Sequence, residues 1–350
     1  MKNDERTFIA LDLGTSNILA YIEKHGIVFN EPSIMAYELF TNTLLALGQA
    51  AYELRGKTSD NVEMIVPIKD GVITDLEATK DLLKHIFSKI KFLNEWKNSI
   101  VLLACPSSIT EIEKNALKQV AFDMKAEIVI VEEEVKMAAL GAGINIELAK
   151  GNIVVDIGGG TTDVALISAG SIIISKSIKL AGNALDEEVK KYIKSEYNVL
   201  IGSKTAEKVK IELGSLSKLK SEKTMSVFGR DVVSGLPREA LVSSEEIRGV
   251  FINTFSGITN TVIEIMEQTP PELAGDIILN GFTLCGGGAL IKGIKEYFNE
   301  VFSIKCSISQ NPLTGVVDGA KEYYKALLNR IEKDYYGKNA LLLKRESQYL

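Results

Sequence analysis

Val155–Asp163 reads VDIGGGTTD, and Ala10–Asn17 reads ALDLGTSN. In both, an apolar β-branched run stops at an aspartate, and a glycine and hydroxyl side chains follow. Thr7–Asp12 and Asn152–Val155 are the strands leading in; Ile18–Ile22 and Val164–Ser168 are the strands leading out. A second turn comes next, His25-Gly26 in one copy and Ala169-Gly170 in the other, and then a short strand, Ile27–Phe29 or Ile172–Ser175. Short β-rich runs punctuated by glycine turns are the signature of antiparallel hairpins. The same plan met twice predicts a duplicated α/β chain, each half continuing into further strands and crossover helices.

The acidic turns also carry chemistry. Glycine after a strand lets the backbone approach a polyanion, and successive amides form an anion-binding nest. A carboxylate beside such a nest suits Mg²⁺ held against phosphates. Gly14, Thr15, Ser16 and Asn17 would line one side of a phosphate chain, and Gly158, Gly159, Gly160, Thr161 and Thr162 the other, with Asp12 and Asp156 at the metal. One Asp-x-Gly turn alone is equally an ordinary hairpin; two related ones are a stronger signal. A third run, Gly286-Gly287-Gly288, offers either a flat shelf for a nucleoside or a tightly packed turn into a helix. Hydrolysis needs a group that orients water. Glu132-Glu133-Glu134, at a strand end upstream of the second turn, supplies candidates among which composition does not choose. The chain has no Gly-x-x-x-x-Gly-Lys-Ser/Thr stretch, so the aspartate turns are an alternative to a P-loop.

Between and after the copies, helical spacing covers Leu76–Ile90, Thr110–Phe122, Glu133–Gly141, Asp186–Glu196, Thr205–Leu213 and Ser244–Gln268. Ser99–Ala104, Glu127–Val131 and Ile277–Leu284 read as strands, Leu290–Phe298 and about Gly315–Asp334 as helices. The 350 residues exceed one ordinary core and predict two domains. The expected division is domain I over 1–145, with a small subdomain at about 33–65 and a helix at about 316–335 returning to it. Domain II covers 146–315, with a small subdomain at about 182–245, and 336–350 form a flexible tail. A net charge of −6 argues against general nucleic-acid binding. The dispersed Cys105, Cys285 and Cys306 suit buried reduced thiols, and with only His25 and His85 a zinc or iron–sulfur site is not expected. Absence of an apolar leader or span predicts a cytoplasmic protein.

These motifs, in this order, resemble the actin superfamily and in particular its MreB family. The carriers are ALDLGTSN (Ala10–Asn17), NEPS (Asn30–Ser33), PIKDGVITD (Pro67–Asp75), VEEEVKMAALG (Val131–Gly141), VDIGGGTTD (Val155–Asp163), KIELGS (Lys210–Ser215) and GGGALI (Gly286–Ile291). The resemblance implies an actin-like ATPase fold of two duplicated ribonuclease-H-like domains flanking a nucleotide cleft, each with a smaller subdomain. It implies ATP or ADP with Mg²⁺, slow hydrolysis, and self-assembly head to tail into paired protofilaments. Such filaments would lie on the anionic inner face of the cell membrane and serve cell shape, with other cytoskeletal paralogues as further partners. Residue by residue, it gives Asp12 and Asp156 to metal and phosphate, Glu134 to the attacking water, Glu207 and Lys210 to ribose and adenine, and Gly286 to Gly288 to adenosine. The family pattern has proline and small residues after the catalytic glutamate. Val135, Lys136 and Met137 depart from it, which bears on hydrolysis rate rather than binding. Lys, Asn and Ile usage fits a paralogue from a wall-less helical bacterium, serving helicity and motility.

Two stretches suit a lipid surface. Phe92, Leu93 and Trp96 lie among Lys89, Lys91 and Lys97, and the tail places Leu341 to Leu343 beside Lys344 and Arg345. Each has a plainer reading, as packing on the next strand and as a disordered end. Two other functions share the fold: a monomeric ATPase or kinase, and a filament scaffold with little hydrolysis.

Overall fold

Two five-stranded sheets of one design carry the molecule. The first runs Ala126–Glu133, Ser99–Cys105, Phe8–Leu13, Asn17–Ile22, Gly26–Pro32; the second runs Cys306–Ile308, Phe282–Cys285, Asn152–Ile157, Thr162–Ser168, Ser171–Ile178. The structure, a computed structural model, describes residues 6–89, 99–107 and 109–328. In each sheet the strand ending in the acidic turn is central. It is antiparallel to its hairpin partner and parallel to the strand on its other side. Strands buried on both faces read as continuous apolar runs. Phe8–Leu13 and Asn152–Ile157 are such runs, buried almost throughout.

After its third strand each half inserts a smaller sheet at the same point in the plan. The first holds Met35–Glu38, Thr43–Leu47 and Val62–Ile65, with the helix Gln49–Leu54; the second holds Val199–Leu200, Thr224–Asp231 and Pro237–Ser243, with the helices Gly182–Tyr197 and Ser203–Leu213. A two-stranded hairpin, Ile68–Lys69 with Val72–Ile73, turns through Asp70 and Gly71 at φ 50° and 72°. Asp-Gly supplies the positive φ that such a turn requires.

Capping boxes start two of the helices. Thr110 with Glu113 precedes Glu111–Asp123, and Ser243 with Glu246 precedes Ser244–Glu267. The sequence misleads near Ile277. Ile277–Leu284 was expected as one strand, but Pro271–Asn280 is a helix and only Phe282–Cys285 is a strand. Pro271 opens that helix, and Gly281 at φ 75° ends it. The apolar run Ile277-Ile278-Leu279 fits either period, so pattern alone did not separate them. A further correction falls at Leu290–Phe298, where a 3₁₀ turn at Gly287–Leu290 precedes an α-helix at Ile294–Phe302. Gly293 at φ 75° separates the two.

Two helices cross between the halves. Glu134–Gly141 follows the first sheet but packs on the second, through Val135, Ala138 and Ala139 against Val154, Ala165 and Ile167. The helix described over 315–328 follows the second sheet but packs on the first, where Tyr324 stacks on Phe8 at 4.2 Å. They meet backbone to backbone: a methyl group on Gly141 would overlap Gly315 O, and one on Gly319 would overlap Met137 O.

Candidate functional site

The acidic turns of the two halves meet face to face. Each closes on itself first: Gly158 N–H donates to Thr161 O at 2.9 Å, and a methyl group on Gly14 would lie 2.7 Å from Asn17 O. Across the gap, a methyl group on Gly159 would overlap Ser16 Oγ, and one on Gly160 would sit 2.7 Å from Thr15 Oγ1. Gly71 N–H, from the Asp-Gly hairpin, donates to Thr15 Oγ1 at 3.3 Å. The first turn is held by Asn17, whose amide donates to Asn30 Oδ1 at 3.1 Å, and by Ser33 N–H donating to Ser16 O at 2.9 Å. The second rests on the start of Gly182–Tyr197, through Gly182 N–H to Gly158 O at 3.1 Å and Asn183 N–H to Gly159 O at 2.7 Å.

Four carboxylates gather behind these turns. Burial pushes Asp12 up to about 7, although part of its surface still faces the crevice. Asp156 rises to about 8, from burial first and then from the charges of Asp163 and Asp12. Glu134 stands well above the usual carboxylate range, from burial and then Asp12, Asp163 and Asp156. Asp163, paired across the hairpin with Asp156, is raised by burial while Ser177 and Thr161 hydrogen bonds oppose the rise. Glu134 Oε1 and Asp163 Oδ1 are buried without a hydrogen-bond partner among the described residues. Like charges crowded out of water favour protonation, and a divalent cation reverses that balance.

The donor set fits Mg²⁺. It is all oxygen, acidic and beside amide nests, as that ion prefers when it shares its shell with phosphates and waters. Among the described residues no three His, Cys, Asp or Glu side chains converge as a complete metal cage. A site that leaves positions for phosphate oxygens needs none.

The glutamate run is sorted by its neighbours. Glu132 is engaged by Lys136 at 3.2 Å and by the Tyr323 hydroxyl at 2.6 Å; Glu133 stands at the N-cap position without a side-chain capping bond; Glu134 begins the helix and turns inward. Val135 and Met137 are fully buried, and Lys136 also lies over the Tyr323 ring, 5.3 Å from its centroid. Thus Val135, Lys136 and Met137 tie the Glu134 helix to the helix at 315–328. Of the glycine run, Gly286 and Gly288 leave a methyl group no room beside Asp156 and Ile157, whereas a methyl group on Gly287 would meet Leu313 Cδ2 at 3.3 Å. Close packing accounts for two of the three.

Glu207 and Lys210 lie on one face of Ser203–Leu213. Lys210 Nζ donates to Asp186 at 2.9 Å and Gly182 O at 3.1 Å; Glu207 accepts from the Tyr52 hydroxyl of the other half. Asp186 is pushed up to about 6 by burial, against the pull of Lys210. Asp163, Asp186 and Tyr52 were missed from sequence. Asp163 closes the VDIGGGTTD stretch and was within reach; the other two become visible only once the chain is folded. A groove of about 780 Å³ between Gly182–Tyr197 and Ser244–Glu267 contains none of these site residues. Cys105, Cys285 and Cys306 are buried and unpaired. The proposed lipid contacts Phe92, Leu93, Trp96, Lys344 and Arg345 lie outside the described residues. Among those described, no helix is long and apolar enough to cross a membrane.

Paired sheets with crossing helices and opposed acidic turns define an actin-like fold. The double helical filament of MamK shares it at a TM-score of 0.75, with 20% identity over 91% of this chain and 99% of that one. The chain belongs to the MreB/Mbl protein family, whose profile matches residues 6–332. It is 42% identical to the cell shape-determining protein Mbl of Bacillus subtilis strain 168, over 89% of this chain and 93% of that protein. It is 58% identical to MreB5 of Spiroplasma citri, whose AMPPNP-bound crystal structure superposes with a TM-score of 0.90 and covers 94% of this chain and 99% of that one. MreB5 is also known in an ADP-bound structure, 57% identical to this chain.

Proposed function

We propose that this protein binds ATP or ADP with Mg²⁺ between its two acidic turns and hydrolyses ATP slowly to time the assembly of cell-shape filaments. The observation that carries this is Glu134: a buried carboxylate with an unpartnered oxygen, facing Asp12, Asp156 and Asp163. The AMPPNP-bound and ADP-bound relatives support the nucleotide. Gly14 to Asn17 and Gly158 to Thr161 would receive phosphate oxygens on their amides and hydroxyls. Asp12 and Asp156 would hold Mg²⁺, which supplies positive charge against the triphosphate. Glu134 would accept a hydrogen bond from water and aim it at the terminal phosphate. Glu207, Lys210 and the open edge at Gly287 would receive the nucleoside. In this reading the lobes divide near residue 145, with the segment from about 316 returning to the first. Filaments form by head-to-tail contact with further copies or related paralogues, and lie on the anionic inner membrane face through the Phe92–Trp96 loop or the basic tail. A helical, wall-less host is part of the same reading.

Phosphate release and ATP-dependent sedimentation test it. Wild type is expected to pellet with ATP and Mg²⁺ and to release phosphate slowly. A chain that stays monomeric at high concentration removes the filament reading. Equal phosphate release by wild type and Glu134→Ala removes Glu134 from catalysis.

A further inference from the structure

The nucleotide cleft is bridged at a second place, away from the phosphate turns, by three contacts, two of them made by one tyrosine. Tyr52 lies on Gln49–Leu54 of the first half, and its partners lie on Ser203–Leu213 of the second. The Tyr52 hydroxyl donates to Glu207; Lys204 Nζ lies over the Tyr52 ring, 4.7 Å from its centroid; and Lys204 Nζ also donates to Glu53 O at 3.0 Å. A phenol on a carboxylate and an ammonium over the same ring are both charge-assisted contacts, and each strengthens as water is excluded. Burial and the Glu207 carboxylate both push the Tyr52 phenol above its ordinary value, which keeps it a donor.

Glu207 is well placed to relay this bridge. One turn along its helix, Lys210 reaches Asp186 and Gly182 O, and Gly182 and Asn183 hold Gly158 O and Gly159 O of the second phosphate turn. Contacts therefore run without a break from Tyr52 in one half to the phosphate turn of the other.

We propose that Tyr52 is a positioning residue of the nucleotide site: clamped by Lys204, it holds Glu207 from across the cleft and sets how long a bound nucleotide stays. The inference rests on the nucleotide reading given above and adds to it a latch built of residues outside the phosphate turns. With the latch made, the two small sheets are tied across the cleft beside Glu207. With it broken, the turns and the crossing helices still join the halves. Loss of one charge-assisted hydrogen bond, roughly 1.5–3 kcal/mol, corresponds to about a tenfold or greater change in a dissociation rate.

The test is release of a fluorescent ADP, with Mg²⁺, from the full chain. Tyr52→Phe and Lys204→Met are expected to speed release about tenfold, with little change in melting temperature. The double variant should release no faster than the quicker single one, because both act on one latch. In Tyr52→Cys/Lys204→Cys the introduced thiols are the accessible ones, since Cys105, Cys285 and Cys306 are buried. The reduced protein should release fast, and joining the pair with a short bis-maleimide should restore slow release. Retained binding with wild-type release rates in both single variants overturns the latch alone, as does a cross-linked protein that releases as fast as its reduced form. Failure of wild type to bind the probe overturns the latch and the nucleotide reading together.

Discussion

The two halves end their sheets at matched places with different side chains. After Ala126–Glu133 comes Glu134 and the first crossing helix; after Cys306–Ile308 comes Ser309 and, a few residues on, the second. Glu134 Oε1 and Ser309 Oγ are both buried without a partner among the described residues. Only Glu134 faces the charges of Asp12, Asp156 and Asp163. The repeated plan thus gives a symmetric frame that carries a buried carboxylate in one half and a hydroxyl in the other. The acidic turns differ in the same sense. The first is held by side chains and its own strand neighbours, the second by the start of a helix and the Lys210–Asp186 pair behind it.

The largest expected effect breaks the comparison at its sharpest point. Glu134→Ala should lower single-turnover phosphate release by about 10² or more, the usual contribution of a positioned base. Ser309→Ala should change it less than about threefold. Equal losses would mean that both positions serve folding rather than chemistry. Next in size is the helix crossing. Gly319→Ala pushes a methyl group into Met137 O and should cost about 1–3 kcal/mol in thermal or denaturant unfolding. Gly315→Ala adds a methyl group whose nearest neighbour is Ser309 Oγ at 3.9 Å, and should be neutral or slightly stabilising. A neutral Gly319→Ala would show that the crossing is looser than the contact implies.

Much of this was legible in the sequence because it is local. Strand periodicity, Asp-Gly turns and capping residues all act over a few positions, so the paired hairpins and most helices follow from pattern. The member of Glu132-Glu133-Glu134 proposed to orient water does not, since its distinction is that Lys136 and Tyr323 occupy Glu132 while one oxygen of Glu134 has no partner among the described residues. Tyr52 and Glu207 stand 155 residues apart, and no spacing rule joins them. At the glycine run the packing alternative becomes visible only in the fold, where a side chain on Gly286 or Gly288 would run into Asp156 or Ile157. Ile277-Ile278-Leu279 was misread because a short apolar run carries no period of its own.

The contact between the turns gives the third prediction. Gly159→Ala should displace Ser16 Oγ, part the turns and weaken nucleotide binding several-fold, as roughly 1 kcal/mol of overpacking would. Gly182→Ala meets its nearest neighbours at 3.4–3.6 Å and is the control, because it lies behind the same turn without facing the other. Equal binding by the two variants would mean that the turns do not need their present closeness.

The smallest effect concerns what stands behind the second turn. Asp186 is raised to about 6 in the folded protein, with burial outweighing Lys210, against an ordinary value of 3.8. Well below pH 4 the carboxyl is protonated in both folded and unfolded chains and costs nothing. Between about pH 4 and 6 the folded protein keeps a proton that the unfolded chain has lost, so stability falls as pH rises; above about 6 the loss is complete. Asp186→Asn removes its own part of the slope and leaves the part that Asp12, Asp156, Asp163 and Glu134 contribute. Melting temperatures of the metal-free proteins should therefore coincide near pH 4 and separate up to about pH 6.5, with the variant higher and the gap constant beyond. The first turn is tied by the neutral Asn17–Asn30 hydrogen bond, and Asn30→Ala, which unties Asn17, should leave the slope between pH 4 and 6 unchanged. A gap between wild type and Asp186→Asn that does not widen between pH 4 and 6 would remove Asp186 from the titration and leave Lys210 and Asp186 as a simple brace.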